Sequence, residues 1–311
     1  MRFLIVGPGA MGCLFAARLS NAGYDVTLLD YIEERAEEIN RQGISVEGVT
    51  GKYVVNVPTL AGKIQSQPDY VLICVKSTKT IVAGETIKPW LSPKAVVATL
   101  QNGVGNLGIL EDIFGKERVL GGVTAEGATV LGWGKIRHAG QGSTIFGPKG
   151  GPESPSGRIV EAFNRAGFKT SSSDNVEGLI WGKLIINVGI NALTAITGLK
   201  NGRLPELKGT MLIMEKAVDE AFSVAKAKGI DLPYENPLGR VKEVCRDTAG
   251  NVASMLQDVL NKKVTEVEFI NGAIVKEGES LGIPTPVNFT LTCIVQTIQE
   301  TYNLNLAKFR Y

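Results

Sequence analysis

A chain of 311 residues exceeds what a single hydrophobic core usually organises, so two domains of roughly 150 residues each are expected. Apolar residues at 44% and charged residues at 21% describe an ordinary globular protein and exclude the disordered and fibrous classes. A formal net charge of +2 gives no basis for nucleic-acid binding, and the one locally basic stretch, Lys308-Phe309-Arg310-Tyr311, reads as a solvated tail.

The chain opens on Phe3-Leu4-Ile5-Val6, a continuous apolar run of the kind that buried parallel strands show. It leads into Gly7-Pro8-Gly9-Ala10-Met11-Gly12, after which a helical pattern runs from Ala10 to Asn21 and stops at Gly23. Asp25-Val26-Thr27-Leu28-Leu29 is a second strand, closed by Asp30. In a chain with 37 glycines a bare G-x-G-x-x-G is weak; placed between a strand and a helix, with an acidic residue about 20 residues further on, it is a dinucleotide-binding fingerprint. Gly7 allows the tight turn, Gly9 lets the backbone approach a pyrophosphate, and Gly12 lets helix and strand pack closely. The helix N-terminus offers free N–H groups to the phosphates. Cofactor contact is therefore expected from Gly7, Pro8, Gly9, Ala10, Met11 and Gly12, with Asp30 facing the ribose.

Residues 70–75 and 95–100 are again buried strands, ending in Lys76-Ser77 and in Gln101-Asn102-Gly103. Ligands of open parallel sheets bind outside the carboxyl ends of the strands, which directs Lys76 and Asn102 to the same crevice as the glycine loop. Residues 119–147 read as further strands, 150–155 as a loop, 156–167 as a helix and 168–171 as a last strand. After Asp174 helical periodicity takes over. The clearest helix is 211–228, with Met214, Val218, Ala221, Phe222 and Ala225 on one face and Gly229 at its end. The expected fold class is α/β: an N-terminal Rossmann-type, doubly wound parallel sheet over 1–174, then an all-helical domain over 175–311.

The informative helix is 177–196. Leu184, Ile185, Ile186, Val188, Ile190 and Leu193 surround most of its circumference, so it should be buried. Lys183, Asn187, Asn191 and Thr194 interrupt that coat, and at 100° per residue they fall within an arc of about 80°. Unpaired buried polar groups cost on the order of 1–3 kcal/mol each, so the stripe implies partners: a network within the protein, or a polar ligand. Lysine is seldom buried without cause, and it can donate a proton; the ligand reading is favoured.

Cys13, Cys74, Cys245 and Cys293 are far apart, lack Cys-x-x-Cys spacing and sit among apolar or small neighbours, as free thiols of a reducing compartment do. His138 is the sole histidine, which disfavours a protein-built metal site and a histidine-based triad, and its Gly-rich surroundings place it on a surface loop or strand end. No apolar run reaches the roughly 18 residues of a membrane span, since Asn187, Asn191 and two threonines interrupt 184–199. Gly7-Pro8-Gly9 would break a signal peptide's apolar segment. A cytoplasmic protein without nucleic-acid or membrane partners is expected, and a homodimer is compatible with the sequence.

With Gly7–Gly12, Gln101-Asn102-Gly103-Val104-Gly105, Trp181-Gly182-Lys183-Leu184 and the run from Asn187 to Ala195 in view, the chain resembles the ketopantoate reductases. Ser254-Met255-Leu256-Gln257-Asp258 and Thr265-Glu266-Val267-Glu268-Phe269-Ile270-Asn271-Gly272 extend the resemblance over essentially the whole chain. It implies an N-terminal Rossmann domain, a helical C-terminal domain, an active site between them, and reduction of 2-dehydropantoate to pantoate on the way to coenzyme A. By the same resemblance Lys183 is the general acid and Glu266 an acidic residue near it and the cofactor. Asn187, Asn191 and Asn201 bind substrate, Ser254 holds the substrate carboxylate with Asn251 beside it, Asn102 touches cofactor and substrate, and Gly127 gives the cofactor a backbone contact.

Many relatives close the second strand with an arginine for the 2′-phosphate of NADP, where this chain has Leu29-Asp30-Tyr31; Lys79 stands where some carry glutamine. The expected cofactor is NAD(P)H, with NADH favoured: Asp30 can accept from the ribose hydroxyls and, with Glu33 and Glu34, repel a 2′-phosphate. Arg35 is the residue that could swing back and clamp that phosphate. Two other functions fit the same pattern: a reductase of another 2-keto or 3-hydroxy acid, and a dinucleotide-sensing regulator, against which the buried lysine argues.

Overall fold

The computed structural model describes residues 1–304, so the basic tail lies outside the described residues. Contacts divide the chain into two compact units, Met1–Gln101 with Gly105–Val176, and Asn102–Val104 with the chain from Glu177 onward.

In the first unit, β1 (Arg2–Val6), α1 (Ala10–Asn21) and β2 (Asp25–Leu29) form the expected β-α-β unit. Next come α2 (Glu33–Gln42), β3 (Ile44–Gly48), β4 (Tyr53–Val55), β5 (Thr59–Leu60), β6 (Tyr70–Ile73), α3 (Thr80–Ile87), β7 (Val96–Thr99) and α4 (Asn106–Phe114). The unit ends with β8 (Val119–Thr124), β9 (Gly127–Gly132), β10 (Lys135–Gly140), β11 (Ser143–Gly147), α5 (Pro155–Arg165) and β12 (Lys169–Ser172). The main sheet has eight strands in the order β12-β11-β8-β7-β6-β1-β2-β5, parallel except where β11 meets β8.

Both faces of this sheet are buried, which is why its strands read as unbroken apolar runs. Along β1, Phe3 and Ile5 join one core with α1 and α5, while Leu4 and Val6 join another that includes Leu110, Ile113 and Phe114 of α4. In β6, Tyr70 and Leu72 face the first core and Val71 and Ile73 the second. A second sheet, β4-β3-β10-β9, was not foreseen. It covers the far side of α1, so this helix is enclosed between two sheets and seven of its residues are buried.

His138 is not on a surface loop. It lies inside β10, fully buried, because Ile136 and His138 alternate inward while Lys135 and Arg137 alternate outward. Its ring is satisfied on both sides, by Glu126 Oε2 at 2.6 Å from Nε2 and Thr50 Oγ1 at 3.0 Å from Nδ1. The four cysteines are free, Cys13 and Cys245 buried and Cys74 and Cys293 partly so. Burial raises the thiols of Cys13, Cys74 and Cys245, which makes them poor nucleophiles.

The second unit is helical: α6 (Val176–Thr197), α7 (Lys208–Ala227), α8 (Pro237–Asp247), α9 (Ser254–Leu260), α10 (Asn271–Leu281) and α11 (Pro286–Glu300). By length and composition α6 could cross a membrane, but 67% of its apolar window is buried inside the protein, as befits a core helix. Trp181, Leu184, Ile185, Val188 and Leu193 of α6 pack with Met214 and Val218 of α7, Val241 of α8 and Ile274 of α10. A polar network threads this core. Asn271 donates to Asn288 Oδ1 at 2.9 Å, and Asn288 donates in turn to the carbonyl of Ala217 and to Glu220. The Glu220 carboxylate also accepts from the main-chain N–H groups of Val287 and Asn288, satisfying the start of α11.

Candidate active site

The first unit presents one rim. β2, β1, β6, β7 and β8 are adjacent and parallel, so the residues that follow their carboxyl ends share an edge of the sheet. Asp30 follows β2, the glycine loop follows β1, Lys76 comes shortly after β6, and Gly127 comes shortly after β8. The chain passes from β1 to β2 on one side and returns to β6 on the other, which makes this edge beside β1 the topological switch point where such sheets bind ligands.

Gly7 has φ +106°, and a Cβ there would stand 2.9 Å from the Val75 nitrogen. A Cβ on Gly12 would lie 1.9 Å from the Gly7 carbonyl oxygen, so helix and loop touch backbone to backbone. Gly9 differs: its φ is −70° and the nearest protein atom to an added Cβ is 3.9 Å away. Nothing among the described residues requires glycine at position 9, which fits a site kept clear for a ligand. Helix α1 has no side-chain cap and no acidic residue in its first turn, and its opening N–H groups lack helical partners. These features suit the pyrophosphate of a dinucleotide.

A polar network supports the same rim. Gln101 donates to the Val75 carbonyl at 2.8 Å and to Thr80 Oγ1 at 2.9 Å, and accepts from Thr99. Thr80 donates to Asn106, which donates to Ser77. The loops after β6 and β7 are thus tied together.

Asp30 does not stand free. Its carboxylate accepts from the Tyr31 and Ile32 main-chain N–H groups at 2.6 and 3.1 Å, and from Arg35 Nε and Nη2, each at 2.5 Å. Its side chain is wholly buried, and Arg35 lies over the ring of the exposed Tyr31. Asp30 was expected to repel a 2′-phosphate, with Arg35 as the residue that could swing back and clamp it; here the Asp30 charge is paired by Arg35 itself.

In the second unit, Lys183 and Glu266 are brought together. Lys183 sits on α6, partly buried, and burial presses its ammonium down from the usual 10.5 to about 8, while the charge of Glu266 pulls it back up. Glu266 is buried and precedes a 3-10 turn, Val267–Phe269. Asn102 packs with this unit rather than with the strand that leads to it: a Cβ on neighbouring Gly103 would lie 2.3 Å from the Phe269 carbonyl, and Val104 donates to that carbonyl at 3.2 Å. The carbonyl of Gly182 accepts from the Tyr234 hydroxyl at 2.6 Å, a constraint next to Lys183 with no sequence signal.

The rest of the stripe divides. Asn187 and Asn191 lie one and two turns beyond Lys183 on α6, Asn191 buried. Thr194 instead donates to the carbonyl of Asn191 at 2.9 Å, so its hydroxyl is satisfied by its own helix. Asn201 and Asn251 are neighbours through a 3.2 Å bond from the Asn201 N–H to the Asn251 carbonyl. Asn201 donates to Thr248 at 2.9 Å, and its buried Oδ1 has no partner among the described residues, an acceptor available to a hydroxyl. Ser254 opens α9 and is exposed, and Asn251 lies outside that helix, because Ala253 caps the start of α9 in extended conformation.

Two family models match the chain, ketopantoate reductase PanE/ApbA over residues 3–151 and the C-terminal part of the same family over 175–299. The chain belongs to the ketopantoate reductase family. It is 34% identical to the 2-dehydropantoate 2-reductase of Halobacterium salinarum over 96% of this chain and 99% of that one. It is 36% identical to that of Archaeoglobus fulgidus, over 96% and 98%. Among solved structures it is similar to a PanE/ApbA family ketopantoate reductase from Ralstonia eutropha, with a TM-score of 0.89 and 33% identity over 97% of this chain and 99% of that one. It is also similar to D-mandelate dehydrogenase, solved with NADH and anilino(oxo)acetate, with a TM-score of 0.91 and 25% identity over 98% and 100%.

The glycine geometry makes a sharp contrast testable. Gly12→Ala should lower stability by about 2 kcal/mol or more, as backbone overlap does. Gly9→Ala should leave stability within about 0.5 kcal/mol and weaken dinucleotide binding. Thermal unfolding and NADH titration of both variants check this; equal stability loss at the two positions would contradict it.

Proposed function

We propose that this ketopantoate reductase reduces 2-dehydropantoate to pantoate, with Lys183 as the general acid. The observation that carries the reading is an ammonium held on a core helix, pressed to about 8 and faced by a carboxylate. The family depends on NAD(P)H, and Gly7, Pro8, Gly9, Ala10, Met11 and Gly12 are assigned to its pyrophosphate, with Lys76, Gly127, Asn102 and Glu266 as further cofactor contacts. When bound, the reduced nicotinamide supplies a hydride to C2 of the keto acid.

As C2 gains the hydride, negative charge builds on its oxygen. Lys183 stabilises that charge and then gives up a proton to it, leaving an alcohol and a neutral amine. Glu266 keeps Lys183 protonated near neutral pH against the pull of burial. Asn187, Asn191 and Asn201 are assigned to substrate hydrogen bonds, the open Oδ1 of Asn201 being suited to a hydroxyl. Ser254, with Asn251 beside it, is assigned to the substrate carboxylate. This chemistry belongs to pantothenate and coenzyme A biosynthesis.

A second reading, reduction of another 2-keto acid, draws on the likeness to D-mandelate dehydrogenase. Steady-state rates with ketopantoate, 2-ketoisovalerate, pyruvate and phenylglyoxylate decide between them. Ketopantoate should have the highest kcat/KM by about tenfold or more, and a better rate with phenylglyoxylate would favour the second reading. In the same assay Lys183→Ala should lower kcat by about 10²–10⁴-fold with NADH affinity little changed; retention of about a third of the wild-type kcat would remove Lys183 from the acid role.

NADH is proposed as the preferred cofactor. Asp30 and Tyr31 stand at the end of the second strand with no arginine there, and Arg35 is held by a buried carboxylate through two bonds that a 2′-phosphate would have to break. Asp30→Ala frees the guanidinium and should raise the NADPH/NADH ratio of kcat/KM by about tenfold, a change worth about 1.4 kcal/mol. An unchanged ratio would show that the Asp30–Arg35 pair does not set the choice.

A further inference from the structure

His138 and Glu126 form a buried pair that the reaction does not use. Both side chains are essentially inaccessible, 0% and 2% exposed, and their Nε2–Oε2 distance is 2.6 Å. A carboxylate only accepts, so Nε2 carries the proton directed at Glu126, and Nδ1 is left for the hydroxyl of Thr50. The other oxygen of Glu126 accepts from the Gly142 N–H at 3.3 Å.

Replacing a buried pair of this kind with apolar groups is often neutral or stabilising, so stability alone is a weak reason for it. Its place in the fold suggests another. Between β8 and β11 the chain leaves the main sheet, forms the β9–β10 hairpin in the second sheet, and returns. Glu126 lies at the exit and His138 on the way back, beside the turn after β3 to which Thr50 belongs. The exit is pinned further by Ala125, which donates to the Ser143 carbonyl at 2.9 Å, and by Thr124, whose hydroxyl is 2.8 Å from that of Thr144. The segment so fixed, residues 125–127, follows the carboxyl end of β8 on the ligand-binding rim.

We infer that His138 is a positioning residue for the cofactor: through Glu126 it fixes the main chain at 125–127 so that Gly127 meets the dinucleotide. The inference rests on the assignment of Gly127 as a cofactor contact. The central requirement is the bond from Nε2 to the carboxylate. His138→Gln keeps a donor at the position of Nε2; His138→Leu removes it, and His138→Asn falls short of it while retaining a polar group toward Thr50.

Calorimetric titration of the full chain with NADH, with steady-state kinetics alongside, tests this. His138→Leu should weaken NADH binding by about tenfold, and His138→Gln should stay within about threefold of wild type. The kcat at saturating NADH and the KM for ketopantoate should change by less than about twofold in both, because the lost contact is to the cofactor. If the leucine variant does not fold, His138→Asn should show the same weakening. Wild-type affinity in the leucine or asparagine variant would overturn the inference, as would equal losses in the glutamine and leucine variants. Failure of the wild-type chain to bind NADH would instead overturn the cofactor reading of the first unit, and the inference with it.

Discussion

The chemistry proposed for the second unit depends on keeping a lysine ammonium on a helix that is otherwise a core element. Burial of Lys183 disfavours its charged form, and the Glu266 carboxylate favours it; the two effects oppose each other and leave the group at about 8, below the usual 10.5. A lysine fully in solvent would hold its proton too tightly to be a good acid, and one buried without a carboxylate would lose it. Trp181, Leu184 and Ile185 wall the helix with apolar surface, Tyr234 ties down the carbonyl of Gly182, and Gly103 packs on the Phe269 carbonyl, at the end of the turn that follows Glu266.

The first unit meets a different constraint: a flexible glycine loop has to hold one shape. Helix α1 is clamped between two sheets, its Gly12 touches the carbonyl of Gly7, and the loops on the neighbouring strands are stitched by Gln101, Thr80 and Asn106. Backbone N–H groups that are already oriented lose little entropy when an anion arrives, which is how such loops turn geometry into affinity.

The parts of this fold that were legible in the sequence are those with strong periodicity or strained backbone. The boundaries of α1 and β2 coincide with the expected ones because a glycine and an acidic residue bracket them, and α6 was visible because four polar residues recur at helical spacing on an apolar rod. α2 has only Ala36 and Ile39 as buried anchors, and β4 has only three residues, so neither leaves a pattern long enough to read. His138 was misplaced because glycines to its C-terminal side mask the in-out alternation of β10, and its partner Glu126 is chosen by a hairpin that pairing, not local sequence, creates. Asp30 was correctly placed at the strand end, but the direction of the Arg35 guanidinium five residues later is a tertiary fact. Likewise Asn251 and Ser254 have helical spacing without sharing a helix, because the extended Ala253 lies between them.

The account turns on the ionisation of Lys183, and the pH dependence of kcat/KM for ketopantoate at saturating NADH addresses it most directly, since that parameter reports the enzyme before the keto acid binds. A general acid must be protonated, so the rate should hold below and fall above a pH of about 8, and Glu266→Gln, which removes the charge that raises the group, should move the fall to lower pH. A wild-type profile flat through that region, or a fall that moves to higher pH in Glu266→Gln, would contradict it.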